Sequence, residues 1–287
     1  MKTLFVAGLG LIGGSVARGA RANGLAGRIV GFDRDAAAVE AALAAGVLDE
    51  VASDLAAGAV AADITVLATP VGAHRCLLMQ LRPVADTLAA QGRWVTDTAS
   101  VKCDFVAAAT ELFGTMPDWL VPGHPLAGSQ HSGFGAAQTH LYRDRKVLLC
   151  PTDATRTAAV GDVAALWEGL GATVEVIDAT QHDRLLGMTS HLPHLLAFGL
   201  LDALLVLEPA AGLFRYSGGG FRDFTRIASS DPAMWRDILL ANANHVLAAL
   251  DHTTAHLSVL RAALAAGDGA ALTAAFSRAK LARDGER

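Results

Sequence analysis

Residues 4–15 read LFVAGLGLIGGS, four apolar residues followed by a turn that is rich in glycine. The apolar run is typical of a buried strand, and the residues after the turn are typical of a helix. Gly8 permits the tight turn, Gly10 lets the backbone approach a pyrophosphate, and Gly13 lets the helix pack closely on the strand. The first N–H groups of that helix then point toward a phosphate. The stretch predicts a dinucleotide site at Gly8, Gly10, Leu11, Ile12 and Gly13.

A carboxylate follows the second apolar run of the chain. Asp33 lies 20 residues beyond Gly13, where an acid accepts hydrogen bonds from the adenosine ribose and repels a 2′-phosphate. This favours NAD as the cofactor, but the neighbouring Arg34 could stack on adenine or accept a 2′-phosphate, which keeps NADP open. The alternative is an ordinary strand–helix turn with Asp33 as a helix N-cap. Thr69, Pro70 and Val71 directly follow the apolar run at Ile64–Ala68, and we expect them to cover the cofactor.

Short β-branched runs alternate with alanine-rich helical segments over the first two-thirds of the chain. Strands are predicted at Leu4–Ala7, Ile29–Phe32, Ile64–Ala68, Trp94–Thr96, Val147–Cys150 and Val174–Ile177, and helices at Gly14–Asn23, Ala36–Ala45 and Ala73–Ala90. Apolar strands with helical crossovers predict an α/β Rossmann-type domain with a doubly wound parallel sheet, over residues 1–178. The strand signals then stop, and residues 179–287 predict an all-α C-terminal dimerisation domain.

The expectation of a dimer comes from the apolar helices of this second domain. Leu192–Leu207 is apolar on more than one face, and a helix of that kind must be buried. A domain of about 110 residues offers few places to bury it within one chain. We therefore expect this segment and Ile238–Leu264 to form the core of a homodimer.

The composition excludes several classes of function. The 287 residues have a net charge of −5 and no basic block, which disfavours nucleic-acid binding. The longest apolar stretch, Leu195–Leu207, is broken by Asp202 and is shorter than the ~20 residues of a membrane span. Three cysteines without CxxC spacing suit a reducing cytosol, and no secretory signal precedes the first strand. We expect a cytoplasmic protein that binds no membrane and no metal.

Later segments are polar at positions where a packed core would be apolar. They read DTASVK at 97–102, HPLAG at 124–128, QHDR at 181–184, SHLPH at 190–194 and GGGFRDFTRIASSDPAMW at 218–235. Together with GLGLIGGS, and in this order along the chain, they resemble the prephenate/arogenate dehydrogenase family of tyrosine biosynthesis. That resemblance implies oxidative decarboxylation of a cyclohexadienol. A hydride leaves the carbinol carbon for nicotinamide, the ring carboxylate departs as CO2, and the ring becomes aromatic.

The resemblance also assigns roles to residues of this chain. His124 matches the family's catalytic histidine, and a histidine suits a base that takes the hydroxyl proton. Ser100 matches the serine of an S-x-K motif and is expected to orient His124 and the substrate hydroxyl. Arg226 is expected to bind a substrate carboxylate bidentately, because a guanidinium has the matching geometry. His194 and Gly219 complete the expected substrate site.

Gln130 bears on which substrate is used. It lies six residues after His124, in a loop that the family places near the substrate's side chain. Prephenate carries a keto group there and arogenate an ammonium, which a carboxylate would favour. A neutral glutamine forms no ion pair, so prephenate is the expected substrate and arogenate the alternative.

Other interpretations fit part of the pattern. A 3-hydroxyacid dehydrogenase shares the architecture but would lack HPLAG and TRIA, and a redox sensor that only binds NAD would lack the site residues. Ser100 could instead cap a helix that begins at Val101, and Asp183 could be a first-turn helix acid. His252 and His256 have metal-ligand spacing but no third ligand. The length leads us to expect neither a fused chorismate mutase nor a separate regulatory domain.

Overall fold

The computed structural model describes residues 2–129 and 131–285, so Gln130 lies outside the described residues. Its larger sheet has six parallel strands in the order β3-β2-β1-β4-β5-β6. They are β1 Thr3–Ala7, β2 Arg28–Phe32, β3 Glu50–Val51, β4 Ile64–Leu67, β5 Trp94–Asp97 and β6 Leu120–Val121. The order runs outward from β1 in one direction and from β4 in the other, which confirms the doubly wound α/β prediction.

Helices connect and flank these strands. They are α1 Leu11–Ala22, α2 Ala36–Ala44, α3 Leu55–Ala61, α4 His74–Leu81, α5 Ala85–Gln91, α6 Cys103–Phe113 and α7 Thr157–Gly169. The single helix predicted over Ala73–Ala90 is wrong, because a 3-10 turn at Arg82–Val84 separates α4 from α5. Pro83 lies in that turn, and a proline has no N–H group to continue a helical hydrogen-bond ladder.

A second, three-stranded sheet lies beyond the first. It contains β7 Gly123–Pro125, β8 Lys146–Leu149 and β9 Thr173–Val176, with β7 antiparallel to β8 and β8 parallel to β9. The sequence predicted β8 and β9 but not β7. Three residues that end in proline are too few to show an alternation of apolar and polar side chains. This sheet matters for the site, since His124 is the central residue of β7 and pairs with Leu148.

Within the described residues, helices alone follow β9. They are α8 Ala179–Leu186, α9 Leu192–Leu205, α10 Ala210–Arg215, α11 Gly219–Thr225, α12 Pro232–Ala241, α13 Ala243–Ala265 and α14 Gly269–Asp284. A π-helical turn at Gly187–His191 joins α8 to α9, and a 3-10 turn at Arg226–Ser229 follows α11. This confirms the helical C-terminal prediction. The boundary at residue 178 stays a prediction.

The helical part exposes large apolar side chains in the single chain. Val206, Leu264 and Leu281 are 84%, 70% and 72% exposed. Val206 and Leu264 belong to the two segments that the sequence predicts to be buried, so these segments are only partly covered by their own chain. None of the described helices is both long and apolar enough to cross a membrane.

A small apolar cluster joins α12 to the larger sheet. Trp235 and Ile238 of α12 are buried with Val101, and Val71 packs against them. Val71 follows β4 and Val101 follows β5, so α12 lies over the carboxyl ends of these two strands. Ligands of open α/β sheets bind at that edge.

A buried ion pair fixes the start of β7. Lys102 and Asp97 are both fully buried, and the Lys102 ammonium donates to the Asp97 carboxylate. The same ammonium donates to the Gly123 carbonyl at 2.6 Å, and the Gly123 N–H donates to Asp97 Oδ1 at 2.9 Å. The pair therefore holds both polar groups of Gly123, the residue before His124.

We predict that Lys102→Met lowers the free energy of unfolding by about 3 kcal/mol, because it leaves the Asp97 carboxylate buried without a cation. Urea unfolding at pH 7 measures the loss. Lys146→Met is the matched control, since Lys146 pairs with Glu175 on the surface at 2.7 Å, with both side chains about half exposed. Its cost should stay below ~1 kcal/mol. Equal costs for the two variants would contradict a structural role for the buried pair.

Candidate active site

The glycine turn has the shape that a dinucleotide requires. Gly8 has φ +97°, and a Cβ there would lie 2.3 Å from the Ala68 carbonyl oxygen. A Cβ at Gly13 would lie 1.8 Å from the Gly8 carbonyl oxygen, so the close strand–helix packing requires glycine at both positions. Gly10 instead borders open space. It precedes α1, whose N-terminus receives no side-chain cap from the described residues. The first N–H groups of α1, at Leu11 and Ile12, are placed to bind a phosphate.

Asp33 lies directly under this turn. Its Oδ2 accepts a hydrogen bond from the Leu9 N–H at 2.6 Å, and its Oδ1 accepts one from the Asp35 N–H at 2.9 Å. The N-cap of α2 is Asp35, whose carboxylate accepts from the Ala37 N–H. The alternative of Asp33 as the helix cap is therefore wrong. Arg34 is exposed beside it.

The segment after β4 borders the same turn. A Cβ at Gly8 would lie 3.1 Å from the Thr69 methyl group, which places Thr69 against the turn. The Thr69 hydroxyl is buried and has no hydrogen-bond partner within residues 2–129 and 131–285. Pro70 then leads into the 3-10 turn that begins at Val71. An unpartnered hydroxyl beside a phosphate-binding turn fits a bound polar ligand, so these residues fit a nicotinamide dinucleotide.

His124 lies where β7 follows β6. The residue is 9% exposed, and its Nδ1 lies 2.8 Å from Nε2 of His182. Burial lowers the pKa of His124 well below its ordinary value, and the nearby charge of Lys102 lowers it further. The imidazole is therefore neutral at physiological pH, as a general base must be before it acts.

Two functional candidates that the sequence left unassigned lie behind this histidine: His182 contacts it, and Asp183 contacts His182. His182 is fully buried on α8, and its Nδ1 lies 2.7 Å from Asp183 Oδ1. Asp183 also accepts the N–H groups of Lys102 and Cys103, each at 2.8 Å, and so receives the first turn of α6. The interpretation of Asp183 as a first-turn acid is wrong, since the N-cap of α8 is Asp178. QHDR was the available signal, but 58 residues separate His182 from His124.

Ser100 lies in the loop between β5 and α6 and is half-buried. It does not cap a helix at Val101, because α6 begins at Cys103 and its N–H groups bind Asp183. Within the described residues no hydrogen bond joins the Ser100 hydroxyl to His124. Its role in orienting the substrate stays a prediction.

The predicted substrate-binding residues His194, Gly219 and Arg226 lie on the helical part. His194 donates through Nδ1 to the Ser190 carbonyl at 2.9 Å, so Nε2 is the nitrogen available to another group. Its ring stacks on Trp235 with 3.5 Å between centroids. Burial lowers the pKa of His194, the hydrogen bond to Ser190 partly offsets that shift, and the charge of Arg226 lowers the pKa further. Arg226 is exposed, as is Gly219 at the start of α11.

Comparison with known proteins gives matches over almost the whole chain. Residues 16–176 match the family described as "Prephenate dehydrogenase, nucleotide-binding domain", and residues 178–278 match "Prephenate dehydrogenase, dimerization domain". A cyclohexadienyl dehydrogenase of Zymomonas mobilis is 35% identical over 98% of this chain and 95% of its own length. A prephenate dehydrogenase of Bacillus subtilis is 36% identical over 99% of this chain and 76% of its own.

Solved structures give the same result. The crystal structure of Aquifex aeolicus prephenate dehydrogenase in complex with hydroxyphenyl propionate and NAD+ has a TM-score of 0.87 and 34% identity. The match covers 99% of this chain and 97% of that one. These findings confirm the resemblance that the motifs carry: this chain is an oxidoreductase that belongs to the prephenate dehydrogenase family.

Proposed function

We propose that this enzyme catalyses the NAD-dependent oxidative decarboxylation of prephenate to 4-hydroxyphenylpyruvate, a step of L-tyrosine biosynthesis. The observation that carries the proposal is the buried, neutral His124, which lies beyond the carboxyl end of β6, at the edge of the sheet that bears the glycine turn. On the helical side Arg226 supplies a cation, and His194 supplies a second polar side chain. The B. subtilis and A. aeolicus prephenate dehydrogenases give additional support.

His124 is assigned the proton step. It accepts the hydroxyl proton as the carbinol carbon loses its hydride, because the developing carbonyl requires that O–H bond to break. The electron pair of the departing carboxylate then enters the ring as CO2 leaves, and the proton returns to the phenolic oxygen. When bound, the nicotinamide supplies the hydride acceptor.

The other site residues are assigned to binding. Arg226 takes one of the two substrate carboxylates as a bidentate pair. His194 and Gly219 hold the side-chain end of the substrate, and Ser100 the hydroxyl. Gln130 is the residue assigned to the keto group. Arogenate remains the second candidate substrate, because a cyclohexadienyl dehydrogenase is among the relatives at 35% identity.

His124→Asn should lower kcat for prephenate by ~10²–10⁴-fold and leave KM within a few-fold, because only the base is lost. An asparagine can still donate to His182, so the fold around it is retained. The acidic limb of the kcat/KM profile reports a group that must be deprotonated. Because the pKa of His124 is lowered, that limb should lie below pH 6.5, and it should disappear in the variant. The kinetic constants and the pH profile are both measured by the absorbance of the reduced nicotinamide.

Arg226→Ala is the matched comparison for that variant. It removes a charged hydrogen bond worth ~1.5–3 kcal/mol, so KM should rise by about one to two orders of magnitude while kcat stays close to wild type. If His124→Asn keeps more than about a tenth of the wild-type kcat, on the scale of general-base factors, His124 is a structural residue.

Assays with arogenate in parallel with prephenate decide which of the two is the substrate.

NAD is proposed as the preferred cofactor, with NADP less favoured, on the charge of Asp33. Asp33→Ser should shift the NAD-to-NADP ratio of kcat/KM toward NADP by about tenfold or more, since one charged hydrogen bond is lost and a repulsion removed. The ratio is the appropriate measurement, because Asp33 also holds the Leu9 N–H and its loss affects both cofactors. If the wild-type enzyme has the higher kcat/KM with NADP, Arg34 and not Asp33 determines which cofactor is preferred.

We propose a homodimer formed by the helical part. The exposed apolar side chains of α9, α13 and α14 and the match to a dimerization domain support it. We expect a buried area above ~2,000 Å², the size of obligate interfaces. Light scattering at micromolar concentration should give twice the chain mass of 29.6 kDa. A mass near that of one chain would refute the dimer.

A further inference from the structure

We propose that His182 and Asp183 are positioning residues that hold His124 in the tautomer whose Nε2 accepts the substrate proton. The proposal rests on the function proposed for His124. It adds a chain of three buried groups, His124, His182 and Asp183, joined by contacts of 2.8 and 2.7 Å.

The order of donors along this chain follows from the carboxylate. An ionised carboxylate can only accept, so the Nδ1 of His182 must carry the proton that faces Asp183. A neutral His182 then has a lone pair on Nε2. The Nδ1 of His124 must therefore be the donor between the two rings, and the Nε2 of His124 is left as an acceptor. In the opposite tautomer Nε2 would carry a proton and could not take one from a substrate.

The Asp183 carboxylate is held so that it cannot reverse this order. Its Oδ1 accepts from the Lys102 N–H as well as from His182, and its Oδ2 accepts from the Cys103 N–H. Burial raises the pKa of Asp183, but these hydrogen bonds outweigh it and lower the pKa below its ordinary value. The Asn242 amide also donates to the Asp183 backbone carbonyl at 2.8 Å.

The arrangement also suits the charge that develops during the reaction. When His124 takes a proton it becomes a buried cation, and the charge of Lys102 disfavours that cation further. The ammonium of Lys102 is already paired with Asp97. Asp183 is the carboxylate that reaches His124 through a hydrogen-bonded ring, so it stabilises the imidazolium without touching the substrate.

A pair of substitutions at His182 tests the proposal. His182→Leu removes the acceptor for the His124 Nδ1–H and should lower kcat about 10²-fold with KM within a few-fold, a loss at the lower end of general-base effects. In His182→Gln the amide oxygen can take the place of Nε2, and kcat should stay within about tenfold of wild type. Thermal melting of both variants measures the effect on folding.

A double-substitution cycle separates positioning from packing. If His182 acts through His124, His182→Leu should cause little further loss in a His124→Asn background, since coupled sites are non-additive. The loss would instead multiply if His182 only supports the fold. Equal losses for His182→Leu and His182→Gln, or a wild-type kcat for His182→Leu, would overturn the proposal.

The tautomer can also be observed in the unsubstituted enzyme. Nitrogen-15 NMR of histidine-labelled protein at pH 7, assigned with His124→Asn, should show His124 protonated at Nδ1 and unprotonated at Nε2. A proton on Nε2 would overturn the proposal even if His182→Leu does not fold. Asp183→Asn can present its amide N–H to His182 and reverse both rings, so the His124 proton should move to Nε2. The analogous change in a serine-protease triad costs about 10⁴-fold in kcat.

Failure of this proposal differs from failure of the proposed function. If His124→Asn retains high activity, His124 is not the base, and the roles of both other residues fall with it. If His124→Asn is inactive while His182→Leu is fully active, the base is correct and the positioning chain is wrong.

Discussion

The peptide at Gly123 is held by a buried ion pair, and the placement of the candidate base depends on that constraint. Lys102 donates to its carbonyl and Asp97 accepts from its N–H. Asp97 ends β5, and Lys102 is the residue before α6. A charge pair of this kind is costly to bury, and it is tolerated because each group finds further hydrogen bonds. Its consequence is that β7 and His124 are fixed against the carboxyl end of the parallel sheet.

A second carboxylate fixes the same region from the helical side. Asp183 receives the first N–H groups of α6 and the Nδ1 of His182. The loop from Asp97 to Cys103, which contains Ser100, is therefore held at both ends by buried carboxylates. The packing of Val71 and Val101 on Trp235 seats α12 over the same loop. The geometry of the proposed base thus depends on contacts between the sheet and the helices that follow it.

The parts of this structure that could be predicted from the sequence are the local ones. The turn at Gly8–Gly13 and the acid at Asp33 lie within 26 residues, and their spacing is set by one strand–helix–strand unit. Periodicity likewise located six strands, and the motifs identified the family.

What could not be predicted depends on contacts between distant residues. His182 and Asp183 reach His124 and Lys102 only through the fold, and neighbouring residues in the sequence do not indicate which ring nitrogen faces which partner. The strand that bears His124 is three residues long, too short for an alternating pattern. The break between α4 and α5 did have a local cause, Pro83, which the alanine-rich composition obscured.

The electrostatics of the site suit the anionic substrate that we propose. Burial and the charge of Lys102 oppose a proton on His124, and burial and the charge of Arg226 oppose one on His194. Prephenate carries two carboxylates, and negative charge raises the pKa of a nearby imidazole. A base that is weak in the free enzyme would thus gain strength when the substrate is in place. In the proposed reaction, His124 would therefore take up a proton only in the complex in which the hydride can leave, and the buried Asp183 would stabilise the imidazolium that forms.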